Sequence, residues 1–294
     1  SRIAAPARTG PGRRGTTRTG PISRSGANEN HGIGDDARRD SVPRAANEVS
    51  IVPDPAMLAP GGTLRAAINL GNPVLASRDP ATGEPCGVSV DLARELGVRL
   101  GVRVELVVFD AAGKVVDALR TGAWDVAFLA IDPKRALDIA YTPPYVEIEG
   151  AFLVRDDSPV RANADVDAPG VRIVVGEGSA YDLFLTRELK HATIVRAPTP
   201  AAVIEVFLAG AYDVAAGVRP KLEADAKRHP GLRLVPGRFM VIRQAMGVPR
   251  GREAGARYLA GFIEAMKSSG FVARALARHG IEGALVALPD TPSA

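Results

Sequence analysis

From about residue 58 onward the chain alternates between two hydrophobic periods. Runs and alternations of apolar residues bounded by Gly, Pro or Asp predict strands over 63–68, 102–109, 124–130, 146–154, 171–175, 232–235 and 238–248. Between them apolar positions recur with a helical period, as in Val90, Leu92, Ala93, Leu96 and Leu100. This spacing predicts helices from 89, then over 114–121, 180–190, 200–209, 221–229, 253–268 and 271–279. Such β and α alternation implies a mostly parallel sheet covered on both faces. The strands at 146–154 and 238–248 are long and read as crossings between two lobes. Loops are expected at 69–73 and 155–170, with a hairpin turn at 78–83.

One stretch organises this pattern. Gly122 reads as a helix stop, 124–130 as a buried strand, and Asp132-Pro133 as a break that delivers Arg135 past the strand's carboxyl end, where open α/β sheets hold their ligands. A guanidinium there matches a carboxylate or phosphate with its planar fork. The alternative, equally open on spacing alone, is that Arg135 pairs with Asp132 or Asp138. GAWDV at 122–126 recurs as GAYDV at 210–214, leading to Arg219. Each copy is expected to be a helix-to-strand corner with glycine in the left-handed stop position, so two similar lobes would face a cleft. At 176–180 a second turn opens a helix. Gly178 permits close backbone approach, while Ser179 and Ala180 would point free N–H groups at the cleft; Ser179 also reads as an ordinary N-cap. The dinucleotide fingerprint and the phosphate-loop lysine are both lacking.

Charge narrows the function. The formal net charge is +4, but nine of the 37 basic and five of the 33 acidic residues lie in 1–50, leaving 28 of each in the remainder. A balanced globular part with scattered aromatics argues against a nucleic-acid groove. Residues 1–57, rich in Arg, Gly and Pro, are expected to be a disordered tail, and 287–294 a flexible end. No export-signal core appears in 1–55, and no apolar run reaches the roughly 18 residues needed to span a bilayer. Cys86 is the single cysteine, and the four histidines have no ligand spacing, so no disulfide, metal or cofactor is expected.

Taken in order, Gly87–Ala93, Leu119–Asp125, Asp132–Arg135, Ala140–Tyr145, Gly176–Ser179 and Ser268–Phe271 resemble the family 3 extracytoplasmic solute-binding proteins, the amino-acid-type receptors of ABC transporters. The resemblance covers nearly all of 62–282. It implies an α/β, two-lobed type 2 periplasmic-binding-protein fold, with lobe 1 at 58–149 and 245–286, lobe 2 at 150–244, and two hinge strands. It also implies a monomer that closes on one small carboxylate ligand and delivers it to a permease. The compartment would be periplasmic, with a cytoplasmic sensor left open by the missing signal. By position, Arg135 matches the arginine that grips the ligand carboxylate, and Ser179 the hydroxyl and helix start that meet the same group.

Departures from the family pattern are informative. Ala127, Phe128 and Ala130 stand where polar residues are usual, Val218 where an acid takes the ligand's α-ammonium, and Asn72 and Ala112 near the aromatic platforms. A site with the arginine but without that acid should prefer a carboxylate lacking a free α-amine. The expected ligand-binding set is Arg135, Gly178, Ser179, Ala180 and Ala130, with Arg219 placed to grip a second acidic group and Asn72, Lys114, Tyr145 and Gln244 as cleft lining that could equally be surface or packing. No catalytic residue is expected. The enzymatic alternative, a dehydratase similar to the cyclohexadienyl dehydratases, would need Glu177, Asp182 or Glu149 as general acid, with Tyr181 near the expected position.

Overall fold

The computed structural model describes residues 54–289. Strand β1 (Thr63–Asn69) leads through the small hairpin β2 (Ser77–Arg78) and β3 (Pro85–Cys86) into helix α1 (Val88–Leu100). There follow β4 (Arg103–Phe109), α2 (Ala112–Asp117), β5 (Val126–Ala130), β6 (Ile139–Tyr141) and the long β7 (Val146–Arg155). The chain then forms β8 (Arg172–Gly176), α3 (Ala180–Glu188), β9 (Thr193–Ala197), α4 (Val203–Ala209), β10 (Val214–Val218), α5 (Arg219–Arg228) and β11 (Leu232–Leu234). It returns along β12 (Met240–Pro249) and closes with α6 (Glu253–Ser268), α7 (Phe271–Arg278) and β13 (Ala284–Val286). Strands β6, β9 and β13 were not anticipated: two are three residues long, too short for a period to show, and β9 is an edge strand interrupted by Arg196.

The strands join in the order β4-β1-β5-β12-β7-β10-β8-β9, with β6 on β12 and β11 and β13 on β7. Pairings in the two outer parts, β4·β1·β5 and β10·β8·β9, are parallel, as crossover helices require. Where the two long strands meet, β12 and β7 pair antiparallel from Met240↔Gly150 to Gln244↔Val146. The crossing strands thus hydrogen-bond to each other as well as to their own halves, making one continuous mixed sheet rather than two separate ones. Gly150 is needed at this crossing, since a Cβ there would lie 2.7 Å from Met240 Cγ and 3.0 Å from the Phe239 ring.

The largest hydrophobic cluster is continuous across the crossing, joining Leu64 and Val126 through Ile148, Phe152 and Met246 to Ile173 and Val214. Two smaller clusters are private to the halves, one around Trp124 and Val115, the other around Phe207 and Leu153. Trp124 precedes β5 instead of starting it, and is fully buried, with its indole N–H donating to Val115 O at 2.8 Å.

The repeated corner has one cause in both halves. Asp125 N donates to Arg65 O and Arg65 N to Asp125 Oδ2, at 2.8 and 3.1 Å; Asp213 N donates to Arg172 O and Arg172 N to Asp213 Oδ2, at 3.1 and 2.8 Å. Each corner aspartate therefore ties the incoming strand to the start of its parallel neighbour. The glycines differ, however. Gly122 is left-handed as expected (φ 61°), whereas Gly210 is extended (φ −102°) and a Cβ on it would strike the Tyr212 ring at 2.2 Å. Glycine at 210 serves packing, not a left-handed turn.

Most of the tail drawn through residue 57, and most of the C-terminal segment drawn from 287, lie outside the described residues. At the described margins the chain is tied down further than expected. Asp54 caps a 3-10 turn at Pro55–Met57, accepting from Ala56 N at 2.9 Å. Ala287 N donates to Tyr145 O at 3.1 Å, and Leu288 O accepts from Lys267 Nζ at 3.0 Å.

Candidate functional site

Arg135 opens a 3-10 turn (Arg135–Leu137) just beyond β5. Asp132 caps that turn, accepting from Lys134 N at 2.9 Å and Arg135 N at 3.4 Å. The guanidinium is turned inward and is only 3% exposed. One NH2 group donates to Ala130 O at 3.1 Å and the other to Gly178 O, across in the second half, at 2.7 Å. Among the described residues Arg135 has no carboxylate within ion-pair distance; Asp132 pairs instead with Arg187 of α3 at 2.8 Å. Burial lowers the Arg135 pKa, with the tyrosine at 141 and the charges of Asp132 and Asp182 opposing. A buried cation held only by carbonyl oxygens is expensive unless an anion joins it.

Tyr141 shares this pocket. Its hydroxyl is buried without a hydrogen bond of good geometry, though it lies within Coulombic reach of Arg135. Burial pushes its pKa up to about 12, with the Arg135 charge opposing. Gln244 is buried beside Ala130, its partner across the β12·β5 ladder.

Ser179 is the N-cap of α3, its Oγ accepting from Asp182 N at 3.0 Å. The expected free N–H groups are partly consumed within the turn. Gly178 N donates to Asp182 Oδ2 at 2.9 Å and Ser179 N to Gly176 O at 3.1 Å, leaving Ala180 as the next donor along. Gly178 is left-handed (φ 66°), and a Cβ on it would come within 3.0 Å of Gly113 Cα in the first half. The two glycines let the halves meet backbone to backbone.

Beside this contact a cavity of about 150 Å³ lies between the loop after β1 and the second half. Leu70, Gly71 and Pro73 line it from the first half, Tyr181 and Val218 from the second, and Lys221 and Asp225 of α5 line it as well. It does not include Arg135; the two are linked through the start of α3. Asn72, between Gly71 and Pro73, is 8% exposed, and neither atom of its amide has a hydrogen-bond partner.

Other expected residues fall elsewhere. Tyr145 is fully buried in the core against Ser89 (3.4 Å), not in a cleft, and burial raises its pKa. Arg219 is committed to Glu149 at 2.7 Å, to Glu223 at 3.8 Å and to Gly237 O, so its fork is not open to a ligand. Lys114 is an exposed residue paired with Asp110. Arg238 and Arg219 hold the Glu149 carboxyl below the usual carboxylate range, the wrong direction for a general acid. Glu177 is exposed, and Asp182 is taken up by Gly178 N, Thr186 and Arg196. Tyr181 is buried in the cavity wall with its pKa raised to about 12, chiefly by burial. Sequence reasoning missed the Asp132–Arg187 bridge, which no spacing could show, and the role of Tyr141, which lay unread inside the Ala140–Tyr145 block.

Two parallel half-sheets joined by paired crossing strands, with a buried arginine and a helix start facing each other between them, define the type 2 periplasmic-binding-protein fold. A match to the family model of bacterial extracellular solute-binding proteins, family 3, spans residues 64–281. The chain belongs to that family. Solved structures carry the same fold. A mutant of ArgBP from T. maritima aligns over 78% of this chain and 100% of its own, with a TM-score of 0.67 and 21% identity. A solute receptor for L-cysteine of Neisseria gonorrhoeae aligns over 77% and 93%, at 0.67 and 22%. An ancestral amino-acid-binding protein, a precursor of cyclohexadienyl dehydratase, aligns over 78% and 99%, at 0.65 and 21%. No curated protein sequence matches the chain significantly. Among the described residues no helix is long and apolar enough to cross a membrane, and no group of three His, Cys, Asp or Glu is placed to hold a metal.

Proposed function

We propose that this protein captures a small carboxylate without a free α-amine between two lobes, 58–149 with 245–286 and 150–244, and presents it as a monomer to an ABC-type permease. The observation that carries this is the buried Arg135 guanidinium, satisfied by two carbonyls and by no anion. A ligand carboxylate supplies the missing charge, with the Ser179 hydroxyl and the start of α3 on its other side. The absence of an amine follows from Val218, an apolar residue that is 8% exposed at the end of β10. Burying an ammonium there without a carboxylate would cost several kcal/mol. Structural neighbours that bind arginine or L-cysteine support amino-acid-sized capture.

Isothermal titration calorimetry with an L-amino acid and its deaminated 2-oxo analogue tests the reading. The oxo acid is expected to bind more tightly. Tighter binding of the amino acid would rule out the amine-free preference, and binding unaffected by loss of Arg135 would rule out the carboxylate grip.

A further inference from the structure

The cavity beside Tyr181 is chemically unlike the Arg135 end. We infer that it receives an uncharged, apolar side chain of the bound carboxylate, of branched-aliphatic or single-ring size; this rests on the carboxylate-receptor reading above. The walls are Leu70, Pro73, Tyr181, Val218 and Leu222, so most of what a guest would touch is hydrocarbon. At about 150 Å³ the space matches a cavity that holds one benzene-sized ring. Its position follows from the helix start: Gly178, whose carbonyl takes the Arg135 proton donor, and Tyr181, which walls the cavity, lie within one turn of each other. A carboxylate held at the one end therefore has its substituent directed along the lobe contact toward the other.

The charged residues lining the cavity exclude a cationic guest. Asp225 is buried and already accepts from Lys221 Nζ at 2.7 Å and from Arg228. Two cations on one carboxylate leave one positive charge in excess, which repels a guanidinium or ammonium. A second carboxylate on the ligand would be drawn to that charge but would have to be buried among the hydrocarbon walls and share Lys221 with Asp225, so glutarate is the probe that separates the two effects.

The test is calorimetric titration of the full chain with α-ketoisocaproate, phenylpyruvate, pyruvate, glutarate, L-arginine and L-lysine. The first two are expected to bind about 10- to 100-fold more tightly than pyruvate, the gain from burying one apolar side chain. Val218→Phe fills the cavity and should erase that gain. Should it lower the ligand-free melting temperature, Ala201→Phe on the exposed rim of the same cavity serves instead. Tightest binding by glutarate, or a gain that survives both substitutions, overturns the inference while a dependence on Arg135 keeps the receptor reading intact; tightest binding by L-arginine or L-lysine overturns the inference and the amine-free preference together, leaving only the carboxylate grip. If no probe binds, the receptor reading and this inference fall together.

Discussion

The bridge between Asp132 and Arg187 couples the arginine turn to the opposite half. Asp132 is 3% exposed and performs two tasks at once: it caps the turn carrying Arg135 and accepts from Arg187 of α3 at 2.8 Å. Arg187 is 41% exposed, so its side of the pair is screened by water. An exposed pair contributes about 0.2–1 kcal/mol and a fully buried one loses about 3–5 kcal/mol when broken, which places this half-buried pair near 1 kcal/mol. That is roughly a fivefold change in the ratio of closed to open molecules. Asp132→Asn keeps an oxygen to cap Lys134 N but removes the charge, and Arg187→Ala removes only the partner. Urea denaturation of both single variants and the double variant closes a cycle whose coupling is expected near 1 kcal/mol. The cycle reports at most the cost of opening, so small-angle scattering of ligand-free Arg187→Ala supplies the second readout, with an increased radius of gyration expected. Coupling under about 0.3 kcal/mol together with an unchanged scattering profile would refute this role of the Asp132–Arg187 bridge.

Three further outcomes are expected. Arg135→Ala should weaken binding of the carboxylate ligand by about 2–5 kcal/mol, because the anion would be buried unpaired; calorimetry with unchanged affinity would make the arginine merely structural. Gly178→Ala should weaken the same binding severalfold, since a side chain at φ 66° is strained and its Cβ would press to 3.0 Å from Gly113 Cα, holding the halves apart. Asp125→Asn should destabilise the fold by about 2–3 kcal/mol at neutral pH, a buried-pair loss discounted because Arg65 and Arg252 are partly exposed. Burial works to raise the Asp125 pKa, but hydrogen bonds from Arg65 and Arg252 prevail and hold it below the usual value. Its contribution is therefore present above about pH 4 and lost as the pH falls through the lowered value. Melting curves of wild type and Asp125→Asn should converge in acid; a gap that stays constant down to about pH 2 would contradict the assignment.

The chain's periodicity and punctuation determined the β and α alternation, the two long crossing strands, the repeated corners and the place of Arg135 beyond β5, because these are local consequences of side-chain period and turn chemistry. The motif order determined the family for the same reason, each motif being a local turn or strand end. Partners across the molecule were decided only by tertiary structure. Nothing near Tyr145 in sequence says that its ring turns into the core, nor does Val218-Arg219 reveal that Glu149, seventy positions away, occupies the guanidinium. Gly210 matched Gly122 in letters, yet the ring of Tyr212 and not a left-handed backbone sets its identity. Burial of Arg135 without an anion is likewise invisible along the chain, since it depends on which carbonyls and carboxylates the packed halves bring to one point. Local order is written in spacing; charge balance at a buried site is a sum over neighbours that only folding assembles.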